Sequence, residues 1–203
     1  EYPDIDIRID ATDNPVDLET SDVDLAIRYT RPGHVGNEAV RLFGEQLTPV
    51  ASPWLLKSGP PLRSPKDLAN YALLEASDSH RTQNLEWLTW RRWLEDNWQP
   101  KLAPKRWMHF NYAHQIVQAA LTGQGIALAR MPLVADSLAS GDLVEVLPNA
   151  RIDTPMVYWL LVGPRSGVRP EIQAFCQWLT GQAELTRLAI GDVPDADAGA
   201  HPD

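Results

Sequence analysis

Asp22-Val23-Asp24-Leu25-Ala26-Ile27-Arg28-Tyr29-Thr30 decides how this chain is read. Val23, Leu25 and Ile27 alternate with other residues at the period of a half-buried strand over about 23–28, and the run ends on Arg28, Tyr29 and Thr30, polar groups at the strand's carboxyl end. In open α/β sheets ligands bind at that end. The alternation alone fits an ordinary half-buried strand that binds nothing.

Working outward, similar alternation predicts strands near 5–9, 39–43, 47–51, 71–75, 106–110, 125–129, 142–147 and 156–162. A short helical turn is expected near 15–20, and helices can start at Pro53 and at Ser64-Pro65, where serine caps and proline fits the first helical position. Three-to-four spacing predicts helices over 84–98, 112–121, 131–139 and 169–181, with Gly123 and Pro100 as stops. Helices and strands alternate, which predicts an α/β fold with a mainly parallel sheet. Residues 53–65 hold four prolines and 148–155 hold two, so both stretches are candidate crossings between two lobes. A cleft between two lobes is a common small-molecule site.

Composition limits the classes. The 203 residues are 44% hydrophobic and 22% charged, with no apolar run long enough for a membrane-spanning helix. The net charge of −9 is concentrated at the ends, with nine acids and one base over residues 1–24 and five acids and one base over 184–203; residues 25–183 stand at +3. Such a chain lacks the broad basic surface of a nucleic-acid binder. The last twenty residues read as an acidic, solvated tail. The chain opens two or three residues before a predicted strand, without Met or an apolar leader, and reads as a fragment from the cytoplasm.

No motif assembles a catalytic set. Gly123-Gln124-Gly125 ends a helix and opens a strand, the reverse of a phosphate-cradling loop. His109 and His114 straddle a strand-to-helix turn and lack a third metal ligand nearby. Cys176 shares an apolar helical face with Ile172, Phe175 and Leu179 and reads as an inert core thiol. Trp87, Trp90, Leu94 and Trp98 would share one face of the helix over 84–98, either as packing or as an aromatic wall for a ligand. Phe110-Asn111-Tyr112 marks a helix start, where unpaired N–H groups favour an anion; Asn111 serves there as N-cap, ligand contact or both.

Pro3-Asp4-Ile5-Asp6-Ile7-Arg8-Ile9, Val16-Asp17-Leu18 and Asp24-Leu25-Ala26-Ile27-Arg28-Tyr29 together resemble the effector-binding domain of LysR-type transcriptional regulators. Leu47-Thr48-Pro49-Val50-Ala51-Ser52-Pro53, Pro61-Leu62, Asp67-Leu68, the run from Ala119 to Leu128 and Phe175-Cys176-Gln177-Trp178-Leu179 continue the resemblance in family order to about residue 181. Arg28-Tyr29, Tyr158-Trp159 and the tryptophan-rich helix are similar to the branch holding the glycine-cleavage and β-lactamase regulators. The resemblance implies a two-lobed, periplasmic-binding-protein-like type 2 fold hinged on two crossing segments. Lobe one would take 1–50 and 157–183, lobe two 51–156, and 184–203 would be the disordered tail. It implies further that the first strand of lobe one and a helix-turn-helix are missing.

By the same resemblance, a small effector such as an amino acid, peptide fragment or small anion lies between the lobes of a self-associating regulator. Tyr29, Thr30, Asn111, Tyr112 and Tyr158 would contact it, with Arg28 and Phe110 as weaker neighbours. DNA would be reached only through the helix-turn-helix, and no cofactor, metal, membrane or catalytic role is implied. The competing reading is a transport solute-binding protein of the same fold; an enzyme lacks the necessary nucleophile, metal or phosphate constellation.

Overall fold

Leu25–Thr30 forms strand β1, as its alternation predicts. The computed structural model describes residues 5–12, 14–76 and 86–192. The further elements are β2 (Val40–Ala51), α1 (Pro53–Ser58), β3 (Ala72–Ala76), α2 (Trp90–Asp96), β4 (Arg106–Phe110) and α3 (Ala113–Leu121). They are followed by β5 (Ile126–Arg130), α4 (Met131–Ser140), β6 (Val144–Glu145), β7 (Ile152–Val162) and α5 (Pro170–Ile190). The strand order is β1-β7-β2-β5-β3-β4, with β6 also pairing β2. Contrary to the expectation of a mainly parallel sheet, it is mixed: β3 runs parallel to β4 and β5, while β1–β7, β2–β5 and β2–β6 are antiparallel.

The chain divides into two compact units, residues 1–44 with 155–203, and residues 45–154. The divisions fall inside β2, at 44/45, and inside β7, at 154/155, the second within the proline-bearing stretch 148–155. The segments 39–43 and 47–51 are one strand because β2 keeps extended backbone through Gly44-Glu45-Gln46.

In the first unit, a small core of Leu42, Leu160 and Ala183 is flanked by Leu25, Phe43, Tyr158, Val162, Cys176 and Leu179. Cys176 is half-buried, and burial pushes its thiol up from its ordinary value. Helix α5 begins on Pro170 and runs past the expected stop at 181 to Ile190, ending on left-handed Gly191. Asp192 is likewise held. Both its carboxylate oxygens accept from Arg41, at 2.9 Å each, and Oδ2 accepts the Gly44 N–H at 2.8 Å. Burial would raise this carboxyl, but the Arg41 guanidinium and the Gly44 N–H outweigh it and hold it below its ordinary value. The ordered chain thus continues beyond residue 184, and residues 193–203 lie outside the described part. The strand expected at 5–9 is not formed, because no described strand offers it a ladder; Ile9 is 86% exposed. Near 15–20 the chain makes a simple turn at 18–20 instead of helix.

The second unit covers both faces of its sheet. Leu47, Leu73 and Ile126 face one core with Trp90 and Trp93. Val50, Leu74 and Ala127 face the other, with α3 and α4 supplying Ile116, Ala119, Ala120 and Val134. Trp90 donates its indole N–H to the Leu74 carbonyl at 2.9 Å, and Trp93 donates to that of Ala150 at 2.8 Å. The predicted helix over 84–98 is shorter. Glu86–Leu88 is a 3-10 turn, Thr89 caps α2 through the Arg92 N–H, and Trp98 leaves the helix with φ of 60°. Asn84 lies outside the described residues. Trp90, Trp93 and Leu94 are buried while Trp98 is 89% exposed, so the tryptophans fill a core rather than lining a wall. Arg92 covers the Trp87 ring at 5.0 Å. The strand expected over 142–147 shrinks to β6, whereas β7 starts four residues early.

Gly123 closes α3 with φ of +73°, as its position past the helix predicts. A Cβ there would lie 2.6 Å from the Trp54 ring. Trp54 is largely exposed and its ring can swing aside, so the left-handed backbone dominates the cost. Gly123→Ala should lower unfolding free energy by about 1–2 kcal/mol, read from the urea midpoint. An unchanged midpoint would mean that this turn tolerates a side chain.

Candidate functional site

In the first unit, antiparallel pairing brings the predicted residues together at the end of β1. Tyr29 lies opposite Tyr158, with ring centroids 4.8 Å apart, and Phe43 packs on the other side of Tyr158 at 4.7 Å. The stack fixes where the two tyrosine rings sit. Arg28 pairs with Trp159, so by strand alternation it projects from the sheet face opposite to Tyr29. Thr30 is nearly buried, and its carbonyl accepts the Trp159 indole N–H at 3.3 Å.

In the second unit, β4 leads into α3 through Asn111. Phe110 is partly buried and packs against the core that α3 and α4 cover. Asn111 is exposed and is not the N-cap. That position belongs to Tyr112, whose N–H is accepted by Gln115 Oε1 at 3.3 Å. Tyr112 is exposed and stacks on His114 at 5.6 Å and 16°. Asn111 and Tyr112 thus stand at a helix start, where the Gln115 N–H donates to the Tyr112 carbonyl at 3.1 Å.

Sequence spacing misses the pairing of Glu75 with His109. Parallel pairing sets His109 beside Glu75 at the carboxyl ends of β4 and β3. His109 also stacks with Trp107 at 6.3 Å, and Glu75 Oε1 accepts the Trp90 backbone N–H at 3.1 Å. Spacing offers His109 only as a metal ligand, because its strand neighbour is more than thirty residues away in sequence. Among the described residues, no three His, Cys, Asp or Glu side chains are grouped to hold a metal ion, and no helix is long and apolar enough to cross a membrane.

The model of the LysR substrate binding domain matches residues 1–184. The glycine cleavage system transcriptional activator of Escherichia coli K12 is 33% identical over 182 residues, which is 90% of this chain and 57% of that protein. The HTH-type transcriptional activator AmpR of Pseudomonas aeruginosa is 31% identical over 185 residues, covering 91% of this chain and 58% of the relative. The chain therefore spans a little over half the length of these relatives. Among solved structures, the effector domain of Pseudomonas aeruginosa AmpR aligns with a TM-score of 0.64 at 28% identity, covering 94% of this chain and 85% of that one. The AmpR effector binding domain of Citrobacter freundii gives 0.63 at 25%, covering 91% and 86%. The relatives are transcriptional regulators, not transport proteins.

Proposed function

The chain belongs to the LysR substrate-binding-domain family, and from that premise we propose that it senses a small effector for a transcriptional regulator. The family match across residues 1–184 carries this reading. Tyr29, Thr30 and Tyr158 are the proposed effector contacts of the first unit, and Asn111 and Tyr112 those of the second. Arg28, on the sheet face opposite to Tyr29, and Phe110, partly buried against the α3–α4 core, are weaker candidates. Phenolic hydroxyls, a carboxamide and a helix start suit a small polar or anionic molecule, such as an amino acid or peptide fragment. DNA binding would belong to a helix-turn-helix outside these 203 residues, and self-association to the assembled regulator.

The mechanism is a population shift. An effector that binds one conformation better biases the regulator toward it, by no more than its differential affinity for the two. Calorimetric titration of the 203-residue chain against a panel of amino acids, short peptides and small carboxylates tests the reading. For any ligand found, Tyr29→Phe and Asn111→Ala should each weaken binding roughly 5- to 100-fold, the scale of a lost hydrogen bond. Far-UV circular dichroism should be unchanged. Wild-type affinity in both variants would remove these residues from the site.

A further inference from the structure

The chain passes between its two units at Gly44-Glu45, within β2, and at Thr154-Pro155, within β7. Pro155 has no N–H to donate to a sheet ladder. Gly44 donates its N–H to a side chain instead: Asp192 Oδ2 accepts it at 2.8 Å, and the two carboxylate oxygens accept from Arg41 at 2.9 Å each. All three residues belong to the first unit. The Asp192 side chain is only 17% exposed, which makes this a partly buried, charge-assisted clamp and not a loose surface pair. A Cβ on Gly44 would lie 3.0 Å from Arg41 Nη2 and 3.3 Å from Asp192 Oδ1, so the clamp fills the space a side chain would take.

The second unit anchors the same two strands just beyond each boundary. The buried Glu45 carboxylate accepts from Arg130 Nε at 2.6 Å, which ties β2 to the end of β5. The Thr154 hydroxyl donates to the Glu45 carbonyl at 3.4 Å, and Gln46 Nε2 donates to Asp153 Oδ1 at 2.7 Å, cross-linking β2 to β7. On the first unit's side, β7 is paired with β1 from Val157 onward.

We infer that Asp192 is a latch: it holds β2 up to Gly44 and so confines bending of the chain to Gly44-Glu45 and Thr154-Pro155. It is also an anchor that can be released. Asp192 follows the left-handed Gly191 that ends α5, whereas Glu45, Gln46, Arg130, Asp153 and Thr154 all lie within strands. This deepens the reading of the chain as an effector sensor. A population shift would act through a bend of fixed place, and the latch would set how freely the chain samples its conformations.

Two measurements on the whole 203-residue chain test the latch. By NMR, Asp192→Ala should speed hydrogen exchange of the Gly44 amide about 10- to 100-fold, the scale of a lost hydrogen bond to a charged group, with β3 and β5 unchanged. Asp192→Asn, which keeps an oxygen for Gly44 but removes the charge facing Arg41, should fall between. In a Cys176→Ser background, spin labels on Leu185→Cys and Trp98→Cys mark one exposed site in each unit. The spread of their distances should widen about twofold when Asp192→Ala is added. Unchanged exchange at Gly44 would overturn the inference, as would faster exchange with an unchanged spread. Faster exchange throughout β1 and β7 would overturn it too, since Asp192 would then support the first unit as a whole. Neither measurement needs an effector, so the titrations can fail while the latch stands, and the reverse.

Discussion

Trp93→Ala is expected to cost about 3–5 kcal/mol of unfolding free energy, the range for deleting a buried aromatic side chain. Trp93 is fully buried, meets Trp90 edge-on with ring centroids 5.5 Å apart, and donates its indole N–H to the Ala150 carbonyl at 2.8 Å. Its removal opens a cavity where α2 packs on Leu47, Leu73 and Ile126 and leaves a buried carbonyl without that donor. A loss of this size is a large share of the roughly 5–15 kcal/mol available to an ordinary domain. Guanidinium unfolding followed by far-UV circular dichroism measures it, with Trp98→Ala as the control. Trp98 is 89% exposed, so its change should stay within about 0.5 kcal/mol. Equal effects at the two positions would contradict the packing of α2.

Glu45→Ala should cost about 2–4 kcal/mol. The Glu45 side chain is 0% exposed and accepts from Arg130 Nε at 2.6 Å, while Arg130 is 20% exposed. Removing the carboxylate takes from a mostly buried guanidinium its 2.6 Å acceptor, whereas removing both charges leaves no such imbalance. The double variant Glu45→Leu with Arg130→Met should therefore recover most of the loss. Failure to recover would show that Glu45 acts mainly through other contacts. Urea unfolding of the single and double variants, combined as a cycle, separates the two cases.

Elements with strong local periodicity and a clear stop are legible in the amino-acid sequence. β4 lies over 106–110 as predicted, α3 ends before a left-handed Gly123, and α1 begins at Pro53. What escapes depends on distant partners. Ile5, Ile7 and Ile9 alternate well, yet a strand needs a neighbour and none is described beside them. Gly181 suggests a helix end, but Ala183 and Ile190, seven residues apart, bury one side of α5 and carry it through the glycine. Strand direction leaves no local trace, so periodicity cannot tell a mixed sheet from a parallel one. For the site, spacing finds Tyr29 and Tyr158 separately, and only the register shows them opposite. Alternation within Arg106–Phe110 already sets Phe110 beside Met108, and both pack, partly buried, against the core under α3 and α4.

The first unit is assembled from both ends of the chain, and this dictates an order of events during synthesis. Residues 45–154 emerge as one uninterrupted block and have every strand of their own sheet before the rest is made. β1 and the early part of β2 must wait, without β7 beside them, until residues 155–192 have followed. At roughly 5–20 residues per second the delay lasts a few seconds. The final knot is the Asp192 carboxylate on Arg41 and Gly44, separated from them by about 150 residues of chain. A ribosome that stalls after residue 154 would therefore present a finished second unit attached to a β1 that lacks its β7 partner.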